Sequence, residues 1–86
     1  PSPDDPATAA RERLEENDTA GALAILDRAI ARTPDRPDLY QLLGDVHART
    51  GNRVGAIAAY RRFLALQPDG AASERVRRRL QSLGGS

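Results

Sequence analysis

Apolar residues along this chain recur at three- and four-residue spacing between short polar breaks, which predicts amphipathic helices rather than strands. Leu23, Leu26, Ala29 and Ile30 form one such stripe. Leu39, Tyr40, Leu42, Leu43 and Val46 cover more than one side of the next helix, as expected of a helix packed between two others. Ala56, Ile57, Tyr60, Phe63 and Leu64 make a further inward face, and its two aromatics read as core. Val76, Leu80 and Leu83 give a narrow stripe on a last helix whose other positions are charged or polar. The first helix is the thinnest: Ala9, Ala10 and Leu14 are its only expected apolar contacts.

The breaks carry start and stop chemistry. Asp5-Pro6 pairs an N-cap acid with a proline at the first helical position, where a missing N–H costs nothing. Asn17-Asp18-Thr19 supplies a break and a second cap, Pro34 ends the helix that follows, and Pro37 opens the next. Gly51-Asn52 reads as a C-cap glycine followed by an N-cap side chain, and Asp69 as the cap of the last helix. Five helices are therefore expected, over about 6–16, from Thr19 to about 32, 37–50, 53–66 and 71–83. Ala22 and Gly44 keep two positions small. A glycine inside a helix costs about 1 kcal/mol against alanine, so Gly44 predicts a close helix approach.

Shifting the chain by 34 residues brings Gly21 onto Gly55, Ala22 onto Ala56, Arg28 onto Arg62, Pro34 onto Pro68 and Asp35 onto Asp69. The apolar positions Leu23, Leu26 and Ile30 fall on Ile57, Tyr60 and Leu64. From Tyr40 to Pro68 the order Tyr40, Leu43, Gly44 and His47, then Ala56, Tyr60, Phe63 and Pro68, resembles the tetratricopeptide repeat, with His47 where an aromatic is usual. The copy before it is good over its second helix and poor over its first, where Pro6, Ala9, Ala10 and Arg13 replace Tyr40, Leu43, Gly44 and His47. The expected organisation is one all-α, TPR-like α-solenoid segment at 6–83. It comprises a degenerate repeat at 6–36, a full repeat at 37–70 and a capping helix at 71–83, between a linker at 1–5 and a flexible tail at 84–86.

That resemblance implies a concave groove lined by the first helix of each pair and suited to a peptide. The lining would comprise Arg11 and Glu15, then Gln41, Asp45 and Arg49, then Arg75 and Arg79. Some family members clamp a C-terminal carboxylate with Lys, Asn and Arg in these slots. Here Arg75 and Arg79 suit the basic members, but Ala7 and Arg11 replace a Lys and an Asn, and Asp45 would repel a carboxylate. An acidic or mixed-charge segment fits better than a chaperone tail.

Composition narrows the remaining classes. The 86 residues include 13 Arg and no Lys against 12 acids, so the net charge of +1 gives little pull toward a polyanion. All-Arg usage reads as a GC-rich bacterial genome, and a chain beginning at Pro1 is expected to be a fragment of a larger protein, the cytoplasm being favoured. No apolar run reaches the roughly 18 residues of a membrane span. Cysteine is absent, His47 stands alone, Ser73 has no base in reach, and no phosphate loop or carboxylate pair stands out, so no catalysis, metal or cofactor is expected. His47 is read as filling part of a tyrosine's space, with a groove contact or pH-sensitive role as the alternative. The competing functional reading is nucleic-acid binding through the four Arg of the last helix, which lack accompanying aromatics. The thin first helix predicts a further partner or a homodimer, because repeat stacks generally need about three repeats for stability.

Overall fold

The computed structural model describes residues 5–84, so of the linker expected at 1–5 and the tail expected at 84–86 only Asp5 and Gly84 are described, and the rest lies outside them. Five helices follow one another: α1 (Pro6–Glu15), α2 (Thr19–Arg32), α3 (Pro37–Arg49), α4 (Arg53–Leu66) and α5 (Ala71–Leu83). The all-α class read from the pattern is what the chain adopts, and no strand occurs among the described residues.

The repeat is visible in backbone detail. Asp18 Oδ1 accepts from the Gly21 amide at 2.9 Å, and Asn52 Oδ1, one repeat later, accepts from the Gly55 amide at 3.0 Å. Each cap follows a residue in the left-handed region, Asn17 (φ 66°) and Gly51 (φ 78°), types that tolerate it. The amides of Asp18 and Asn52 then reach back to the carbonyls of Arg13 (2.7 Å) and His47 (2.8 Å), closing both helix ends alike. The last cap differs from expectation. The N-cap of α5 is Gly70 (φ 118°), not Asp69, and it supplies no side-chain bond. Ser73, fully buried, does the anchoring instead, donating its hydroxyl to the carbonyls of Gln67 (2.6 Å) and Asp69 (3.1 Å).

Two apolar clusters meet at α3. On one side Leu39, Leu42 and Val46 join Ala7, Ala10 and Leu14 of α1 and Ala22, Leu26 and Ala29 of α2. On the other, Tyr40 joins Ala56, Tyr60 and Phe63 of α4 and Val76 and Leu80 of α5. The central packing of α3 follows from its having apolar residues on two sides. α1 sits slightly rotated from expectation, burying Ala7 and leaving Ala9 half-buried. With only alanines and one leucine to place, a helix period alone leaves that rotation open. The small slot at Gly44 faces the Tyr60 ring: a Cβ there would lie 2.6 Å from Cδ1 and 2.7 Å from Cζ.

The thin first helix gains a polar fastening that its apolar face lacks. Asp5 caps α1 by accepting from the Thr8 amide at 3.2 Å and binds Arg36 Nη2 at 2.9 Å. Arg36 is in turn held by Asp38, both bonds measuring 2.9 Å. The Arg36 guanidinium, aided by the backbone amides, holds the Asp5 carboxyl below its ordinary range. A carboxylate whose folded value is depressed contributes stability above its unfolded pKa of about 3.9, and loses it as pH falls through the folded value. Asp5→Asn keeps a good capping side chain but removes the charge. The variant should therefore melt below the parent at pH 7, and the two should converge in strong acid. Parallel melting curves at every pH would show the pair to be without effect.

Candidate functional site

The 34-residue step gives α1, α3 and α5 equivalent positions, and the structure brings one full set of them, Arg11, Asp45 and Arg79, to a single concavity. Three rows result, each stepping by 34 residues: Ala7, Gln41 and Arg75; Arg11, Asp45 and Arg79; and Glu15, Arg49 and Leu83. Arg11, Glu15, Asp45, Arg49 and Arg79 line one concavity of about 410 Å³, floored by Leu14, Leu42 and Ala48. Gln41, Asp45, Arg75 and Arg79 line a smaller one of about 100 Å³ with Tyr60 and Val76. Asp45 and Arg79 belong to both, so the two concavities adjoin and between them take in the seven residues read from the sequence. Ala7 is instead core.

Two of those seven are already engaged. Asp45 Oδ1 accepts the Tyr60 hydroxyl. Burial, and then this bond to Asp45, push the Tyr60 phenol well above its ordinary value, with Arg79 opposing weakly, so it stays a donor at ordinary pH. Arg49 Nη1 donates to the Leu14 carbonyl at 2.6 Å, which satisfies one of the open carbonyls at the end of α1 and places positive charge where the helix dipole favours it. The guanidiniums of Arg11, Arg75 and Arg79 make no hydrogen bond or ion pair with any described residue, and all three are exposed. Glu15 is the exposed acid left in the depression. The surface can therefore offer several charged donors, one carboxylate and an apolar floor.

Several contributors were not singled out from the sequence. Leu14, Ala48 and Ser82 form a fourth row with the same 34-residue step, so the repeat contained a signal for them. Tyr60 had none, since its bond to Asp45 spans 15 positions and depends on how α4 crosses α3. His47 lies away from the depression, with Nδ1 3.2 Å from Asn52 Nδ2 at the turn into α4. The four Arg of α5 divide: Arg77 donates to the Pro68 carbonyl, whereas Arg75, Arg78 and Arg79 line a third concavity with Ala48, Ser82 and Leu83. No aromatic remains for base stacking. Tyr60 and Phe63 are buried, and Tyr40 donates to the Pro34 carbonyl at 2.6 Å with Arg62 over its ring.

Among the described residues no helix is long and apolar enough to cross a membrane. A family model for the tetratricopeptide repeat matches residues 7–81. No solved structure matches the chain.

Proposed function

The chain belongs to the tetratricopeptide repeat family, and from that membership we propose a non-catalytic interaction module whose concave face holds an acidic or mixed-charge peptide segment. The family generally mediates contacts between proteins. The observation that carries the acidic preference is the imbalance in the depression. Asp45 is occupied by Tyr60 and Arg49 by Leu14, while Arg11, Arg75 and Arg79 are unengaged. A guanidinium without an internal partner forms strong forked bonds with a carboxylate at little reorganisation cost.

The test is the double reversal Arg75→Glu with Arg79→Glu, assayed by fluorescence anisotropy against a labelled pool of acidic peptides. Each charge-assisted bond is worth about 1.5–3 kcal/mol, so affinity should fall roughly a hundredfold while the circular dichroism spectrum stays helical. An unchanged affinity in a folded double variant would remove the proposal.

Self-association is the second reading, favoured by a separate concavity of about 490 Å³ on the outer face of α1 and α2. It is lined by Ala9, Ala24, Ile25 and Ala29 beside Arg28 and Arg32. Two copies meeting there would cover the thin first pair. Sedimentation should then show a dimer whose melting temperature rises with concentration, and Ile25→Glu should return it to a monomer. A strictly monomeric mass at high concentration excludes this reading.

A further inference from the structure

The concavity on α5 differs in kind from the rest of the depression. Its cavity of about 550 Å³ is lined by Arg75, Arg78, Arg79 and Ser82, with Ala48 and Leu83 as apolar contacts, and no carboxylate lies among them. The four polar positions follow the spacing i, i+3, i+4, i+7, so they share one helix face. None of the three guanidiniums makes a hydrogen bond or ion pair with a described residue, and Glu74, one turn before Arg78, is not paired with it. Three like charges within little more than one helical turn repel one another. No ion pair within the described residues offsets that repulsion at Arg78, and Asp45, the carboxylate that shares the neighbouring concavity with Arg75 and Arg79, has its Oδ1 taken by the Tyr60 hydroxyl.

One carboxylate is satisfied by a single forked guanidinium. Three guanidiniums and a hydroxyl converging on one concavity exceed that demand. A phosphoryl group on a side chain matches it, with a charge of about −1.5 to −2 and three strong acceptor oxygens. We propose that this concavity is a phosphoryl subsite, and that the segment held by the groove carries a phosphorylated serine or threonine docked on Arg75, Arg78 and Arg79. This rests on the acidic-segment reading and sharpens it. Ala48 and Leu83 would receive the aliphatic part of the modified side chain, and the peptide would continue along the apolar floor of Leu14, Leu42 and Ala48.

A discrete phosphoryl group fits better than a nucleic-acid backbone. Continuing phosphates would run toward Asp45 and Glu15, which repel them, and the fourth cation of α5, Arg77, is turned to the Pro68 carbonyl. Buried rings leave no stacking platform for bases.

The experiment uses the 86-residue chain and three labelled decapeptide pools with randomised flanks, differing only in a central phosphoserine, serine or glutamate. The phosphoserine pool should bind roughly tenfold more tightly than the serine pool. It should also bind more tightly than the glutamate pool. Arg78→Ala should bring the ratio of phosphoserine to serine affinity close to one, and Arg77→Ala should leave that ratio intact. Equal binding of the phosphoserine and glutamate pools overturns the subsite while the acidic groove stands. Failure of all three pools overturns both. A single-stranded oligonucleotide that outcompetes the phosphoserine pool, and is weakened by Arg77→Ala, overturns the subsite in favour of nucleic acid.

Discussion

Phe63→Ala is expected to lower the unfolding free energy by about 3–5 kcal/mol, the usual cost of emptying a buried aromatic site. Phe63 is 2 % exposed and lies in the cluster that α4 shares with Val76 and Leu80 of α5. Those two residues are the buried apolar anchors of the last helix, so the cavity would open beneath the element that carries Arg75 and Arg79. Small domains have about 0.05–0.15 kcal/mol of stability per residue, and the loss is therefore a large share of what an 86-residue chain possesses. Urea unfolding followed by circular dichroism measures it. Hydrogen exchange should report the earliest loss of protection in α5. A cost under about 1 kcal/mol would mean that the ring is not part of a packed core.

Gly44→Val should cost about 3 kcal/mol, through the opposite fault of too much volume. Gly44 is buried in α3, and the Tyr60 ring occupies the space where a Cβ would stand. That ring cannot swing aside, because Tyr60 is 1 % exposed and its hydroxyl is held by Asp45. Even Gly44→Ala should destabilise: helix propensity favours alanine by about 1 kcal/mol, against about 1–3 kcal/mol for overpacking. The ring can be identified as the cause. In a Tyr60→Leu background, where a smaller and more adaptable side chain replaces it, Gly44→Ala should become neutral or stabilising. If Gly44→Ala stabilises the parent chain, the glycine is not required by the crossing.

The two variants bear on the depression from different sides. Phe63 supports α5 from beneath, whereas Tyr60 both packs on Gly44 and satisfies Asp45 in the groove wall. Packing and the acceptor capacity that Asp45 presents to its surroundings are thus coupled through one side chain. Tyr60→Phe would retain the ring but leave Asp45 a free carboxylate, which should weaken acidic ligands even in a folded protein.

Much of the fold was legible because the rules that set helices act over short distances. Asp5, Asp18 and Asn52 cap the amide three residues ahead, and the apolar period operates within two turns. The cap of α5 escaped this reading because Ser73 acts backward on Gln67 and Asp69 while Gly70 makes the turn. The 34-residue step extended this to the repeat, and the family resemblance with four-residue helical spacing pointed to Arg11, Asp45 and Arg79, which the structure finds in one concavity.

By itself, then, the amino-acid sequence determined five helices, most of their ends, the family resemblance and a set of polar positions that fall on one side of α1, α3 and α5. The tertiary structure decided which of those residues are available to a partner. Asp45 is taken by Tyr60 across 15 positions and Arg49 by Leu14 across 35, and outside the depression Asp5 is taken by Arg36 across 31. It also decided that Ala7 rather than Ala9 turns into the core. The physical reason is range: capping and periodicity act within a few residues, whereas engagement of a charge requires groups distant in the chain to meet at about 3 Å.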